Sequence, residues 1–143
     1  MLRIVLDTDV IIAAMRSSTG ASAAILDAAL ENQFQLLTSV PLALEYEAKC
    51  TLPEHYQPSG LTQAQALSYV NTIVTISEPV NRRFFWRPQL RDPEDEMVLE
   101  TAINGRADIL ATFNHRHYQQ IPKRFGIELL LPAQTIWRIR EWQ

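Results

Sequence analysis

Short apolar runs separated by helix-length segments constrain this chain most, because they fix the order in which strands and helices alternate. Residues 2–6 form an apolar run with Ile4 and Val5 at its centre, ended by Asp7. Such a run reads as a buried strand. Residues 34–38, 109–112 and 127–131 have the same character, and residues 75–80 are a further strand candidate. Between them lie helical patterns. Gly20 and Ser22 precede an Ala- and Leu-rich helix over 23–30, and Pro41 opens a helix over 42–52 that Pro53 stops. Residues 53–60 read as a loop, and Leu61, Ala64, Leu67, Val70 and Val74 recur at helical steps. Asp92-Pro93-Glu94-Asp95 opens a helix whose stripe is Val98, Leu99, Ala102 and Ile103, with Gly105 at its end. Pro132 starts a last helix carrying Ile136, Trp137 and Ile139.

Strands alternating with helices are βαβ units, and βαβ units build parallel sheets covered on both faces. The expected fold is therefore α/β: one domain over residues 1–143, a three-layer α/β/α sandwich around a mainly parallel twisted sheet. In such folds the site lies at the carboxyl ends of the strands. The acids at that edge are the candidates for chemistry.

Asp7 directly follows the first strand. A carboxylate at the tip of a buried strand is costly to desolvate without a cation or donors nearby, which favours a functional role. Asp9 reads as the more natural cap of the following helix. Glu45 lies one turn into the helix after the second strand, within i,i+4 reach of Lys49. Asp92, Glu94, Asp95 and Glu96 crowd the start of one helix. Capping and the helix dipole use one or two acids, whereas four within five residues repel one another unless a cation neutralises them. Thr112 and Asn114 follow a strand and belong to the same edge. The Asn114 amide can hold a phosphate or a water. His115 and His117 read as loop surface residues. Asp108 precedes its strand and belongs to the opposite edge.

These are hard oxygen ligands, and the chain has no Cys or His pair at zinc spacing, so the expected cation is Mg2+ or Mn2+. Carboxylates from separate segments around such ions suit phosphodiester hydrolysis. The net charge of -3 argues against a nucleic-acid binder that works by charge alone, but an acidic metal site reverses its own field once loaded. The segment over residues 82–91 interleaves Arg82, Arg83, Arg87 and Arg91 with three aromatics, which suits contact with RNA or with a protein partner. Cys50 is the one cysteine and has no internal disulfide partner, as in a reducing compartment. The first apolar stretch is broken by Asp7 and Asp9, and no run approaches the roughly 20 apolar residues of a membrane helix. A cytoplasmic chain without membrane contact is expected.

Four segments, "IVLDTDVIIAAM", "LLTSVPLALEYEAKC", "RDPEDEMVLETAINGRADILATFNHRHY" and "FGIELLLPAQ", resemble the PIN-domain family. They resemble most the toxins of type II toxin–antitoxin pairs, the VapC-like group. The resemblance implies a metal-dependent ribonuclease acting on RNA, a small antitoxin partner and a homodimer. It places the family's first acid on Asp7, the second on Glu45 and the third on Asp95, with Asp92 as an additional acid. The fourth position falls on Asn114, a departure from the acidic pattern, and His117 stands where some relatives carry an acid. Asp9 stands where relatives often have Asn. A rival reading is a haloacid-dehalogenase-type phosphatase, in which Asp7 of "VLDTDV" is a nucleophile and Asp9 a general acid. A degenerate domain that binds without cutting is a third.

Overall fold

The computed structural model describes residues 1–83 and 90–143. In chain order the elements are β1 (Arg3–Leu6), α1 (Thr8–Arg16), α2 (Ala21–Leu30), β2 (Gln35–Thr38), α3 (Val40–Cys50) and α4 (Pro53–Tyr56). They continue with α5 (Gln63–Ile76), β3 (Glu78–Pro79), α6 (Pro93–Asn104), β4 (Ile109–Ala111), α7 (His115–Tyr118), α8 (Ile121–Arg124), β5 (Glu128–Leu130) and α9 (Pro132–Trp142).

The five strands form one parallel sheet in the order β3-β2-β1-β4-β5. β1 lies at its centre, with Val5 opposite Leu37 on one side and Leu110 on the other. Ile4, Val5 and Leu6 are all fully buried although successive side chains point to opposite faces. Both faces are therefore covered by helices, the layering expected from the unbroken apolar runs. α6 lies against β1, β2 and β4, while α9 lies against β4 and pairs with α2.

Local sequence accounts for the element ends, with some corrections. The cap of α1 is Asp7, not Asp9: the backbone at Asp7 is extended, and its carboxylate accepts from Thr8 N at 2.7 Å. The helix thus starts directly on the strand tip. Ser39 caps α3 and Asp92 caps α6, each ahead of a proline in the first turn. The segment 53–60 holds the short helix α4, opened by Pro53. Residues 75 and 76 belong to α5, so only Glu78 and Pro79 form strand. That strand is at the sheet edge, the place where proline is tolerated.

Gly105 follows α6 with a φ of -84°, so space rather than backbone freedom demands glycine. A β-carbon there would lie 2.9 Å from the Thr101 carbonyl and from Val80 Cγ2, and 3.0 Å from Leu37 Cδ1. Gly105→Ala is expected to cost about 1–3 kcal/mol through overpacking. Urea denaturation checks this; an unchanged midpoint would contradict the close approach.

At the amino ends of the strands, Arg3 reaches Glu78 and the Gly105 carbonyl, and Asp108 accepts from Arg3 N at 2.8 Å. Asp108 is thereby engaged away from the carboxyl edge, as its place before β4 requires. Among the described residues no helix is long and apolar enough to cross a membrane.

Candidate active site

The strand order creates the site. The chain steps from β1 to β2 to β3 in one direction and then returns to the other side of β1 with β4. Between β1 and β4 the connections leave in opposite directions, and a crevice opens beyond their carboxyl ends. Asp7 follows β1, its N–H donating to the Ala111 carbonyl at 2.9 Å, and Thr112 to Asn114 follow β4.

Asp7 is 6% exposed. Its Oδ1 accepts from Thr8 N, and its Oδ2 accepts from the Thr112 hydroxyl at 2.8 Å and the Tyr118 hydroxyl at 2.9 Å. Burial pushes its pKa up, and these donors hold it back. The fully buried Tyr46 of α3 donates its hydroxyl to the Leu6 carbonyl and pins the strand tip that carries Asp7. Asp9, two residues on, turns Oδ2 toward Phe113 N at 3.0 Å and Asn114 Nδ2 at 2.9 Å. Burial first, and then the charge of Asp7, raise Asp9 to about 7. Its Oδ1 is buried without a hydrogen-bond partner.

Asp95 reaches the same crevice from the first turn of α6. It is 8% exposed, and burial followed by the charge of Asp7 raises it to about 6. His117 Nδ1 lies 3.1 Å from Asp95 Oδ2. An open cleft of about 720 Å3 is lined by Leu90, Arg91, Asp92, Asp95, Arg116 and His117, with Gln119. Asp92 is exposed at its rim and spends one oxygen on Glu94 N at 2.9 Å.

The crowd of acids at the start of α6 thus divides by task. Asp92 caps, Glu94 faces Lys49 at 3.4 Å, Asp95 faces Asp7, and Glu96 turns inward to accept from Leu90 N at 2.5 Å. Glu45 is not drawn to Asp7 in the same way. Its charge partners are Lys49, at 3.8 Å, and Glu94. Burial and then Glu94 raise its pKa. Among the described residues no group of three His, Cys, Asp or Glu side chains is arranged to hold a metal ion.

Of the arginines expected to meet RNA or a partner, Arg82 is turned inward onto the buried Glu100 at 2.8 Å. Arg83 and Arg91 are exposed, and Arg87 lies outside the described residues. Sequence reasoning passed over Tyr118, the buried donor to Asp7, and Arg116 in the cleft wall. It set His117 aside as surface. The signal for all three was their position: "NHRHY" directly follows the β4 tip, so a short helix there returns side chains over the crevice.

Compared with known families, residues 3–116 match the PIN domain. The chain belongs to the PIN domain family. No curated protein matches it. The PIN domain is a nuclease-type fold, and its match spans Asp7, Glu45, Asp95 and Asn114. The match is to the PIN domain over residues 3–116 and lends the phosphatase reading no support. The residues of this PIN domain suit a hard cation chemically. After burial, the charge of Asp7 raises both Asp9 and Asp95, and Asp9 Oδ1 is a buried oxygen without a hydrogen-bond partner.

Proposed function

We propose that this PIN domain is a metal-dependent endoribonuclease that hydrolyses phosphodiester bonds of single-stranded RNA. The observation that carries the reading is the gathering of desolvated carboxylates, Asp7 and Asp95 with Asp9, at the β1/β4 crevice. Buried acids held together at such a cost are a mark of function. Asp7 and Asp95 would hold Mg2+ or Mn2+, with Asp92 at the rim; Glu45 on α3, beside Lys49 and Glu94 in this structure, is the acid that the family resemblance would add to the set. The bound cation would supply Lewis-acid stabilisation of charge on the phosphate oxygens.

The protein's own groups do the rest. Thr112 and Tyr118 fix the Asp7 carboxylate in one orientation. Asn114 and Phe113 N fix Asp9. Arg91 and Arg116 in the cleft wall would grip the flanking phosphates, with fork geometry suited to them. The experiment is a gel assay on labelled single-stranded RNA. Purified protein is expected to cut with Mg2+ or Mn2+ and to stop when EDTA is added. Cutting that persists in EDTA would reject the metal, and no cutting with either ion would reject the activity.

The resemblance to the VapC-like group extends the proposal to a toxin held in check by a small antitoxin and working as a homodimer. Exposed Trp137, Trp142 and Leu30 support a partner-covered surface. Induced expression is expected to arrest growth, and Asp7→Asn to relieve the arrest; equal arrest by both chains would contradict the toxin role.

A further inference from the structure

Beside the acidic cleft runs a second groove of about 650 Å3, lined by His115, Arg116, Gln119, Lys123, Ile127 and Leu129 among others. Arg116 and Gln119 line both hollows. The two hollows therefore adjoin across these side chains, with carboxylates lining one and cations the other. The sequence has the same polarity: residues 109–127 contain no Asp or Glu, yet hold Arg116, Lys123 and Arg124 with His115 and His117. That is a basic stretch in a chain of net charge -3.

The cations in this groove are not spent on the protein. Among the described residues neither Arg116 nor Lys123 forms an ion pair. The one acid in the lining, Glu128, is taken by Arg138 at 2.6 Å. Ile127 and Leu129 give the groove an apolar component beside its charges. Unpaired cations next to apolar surface match a single strand, whose phosphates and base faces need both. A duplex would hide its bases.

We infer that the groove over α7 and α8 is the track along which the single-stranded RNA substrate leaves the β1/β4 crevice, with Arg116 and Lys123 on successive phosphates. This rests on the ribonuclease reading above. It differs from the sequence expectation, which looked to residues 82–91, where Arg82 is committed to Glu100.

The test is fluorescence anisotropy of a labelled single-stranded RNA in the Asp7→Asn background, where cleavage is blocked, over a range of NaCl. Arg116→Glu and Lys123→Glu are each expected to weaken binding about tenfold and to lower the salt slope by about one. Lys123→Arg should restore both. In the cleaving chain, Lys123→Glu should raise KM far more than it lowers kcat. Lys123 is exposed on a short helix, and an unchanged thermal midpoint verifies that the variant folds. If the parent binds RNA and both charge reversals leave affinity and slope unchanged, the track is wrong while the ribonuclease reading stands. If the parent binds no RNA, both fall. If the reversals abolish binding of a poly-glutamate peptide but not of RNA, the groove takes a protein partner and the inference is overturned.

Discussion

Asp7→Asn is expected to lower RNA cleavage by about three orders of magnitude or more while the protein stays folded. The amide has the carboxylate's shape. Its oxygen can still accept from the Thr112 and Tyr118 hydroxyls, which meet at Oδ2. What it loses on the structural side is the bond from Thr8 N to Oδ1, a helix cap worth about 1 kcal/mol. What it gains is relief from a buried charge that raises both Asp9 and Asp95. The two effects offset each other, so the thermal midpoint should move by a few degrees at most. Activity responds differently, because an amide carries no charge to hold a divalent cation. Cleavage rate and thermal midpoint measured on one preparation separate these outcomes. Retained activity would reject Asp7 as a ligand, and activity lost together with the fold would make its role structural.

The second large effect is with pH. In the cation-free protein Asp95 titrates at about 6 and Asp9 at about 7, both above the unfolded value of about 4. A carboxyl raised on folding favours the protonated folded state. Its stabilising share is complete below pH ~4 and is lost as pH rises through the folded value. The midpoint in EDTA should therefore fall between pH 5 and pH 8, and Asp9→Asn should flatten that fall. Cation binding runs the other way, since the ion must displace these protons. Cleavage under subsaturating Mn2+ should drop by about tenfold per pH unit below 7, and more steeply below 6 as the second proton joins. A pH-independent rate from 5 to 8 would contradict the coupling of Asp9 and Asp95 to the cation.

The sheet was legible in the sequence because burial on both faces leaves β1, β2 and β4 as unbroken apolar runs. Order along the chain and the crossover rule then placed Asp7 and Asn114 at one edge without any coordinates. β3 was obscured because α5 runs on to Ile76 with the same residue types. The cap of α1 was misassigned because Asp7 and Asp9 are chemically alike, and only the backbone at Asp7 decides between them. Glu45 was placed correctly on α3 and its pairing with Lys49 follows from i,i+4 spacing, but the approach of Glu94 depends on how α3 meets α6, which spacing does not encode. Tyr118 escaped notice for a similar reason. A tyrosine after two histidines reads as surface until α7 folds its hydroxyl onto Asp7. Arg82 looked like a free cation because its partner, Glu100, lies on α6.

Calorimetric titration of Mn2+ into the cation-free protein at pH 7.5 probes the shared carboxylate centre most directly. Saturable binding in the natural chain is expected, weakened at least tenfold, by about 1.4 kcal/mol, in Asp7→Asn and in Asp95→Asn alike. No saturable heat in the natural chain, or identical isotherms in all three proteins, would mean that these acids do not hold a common ion.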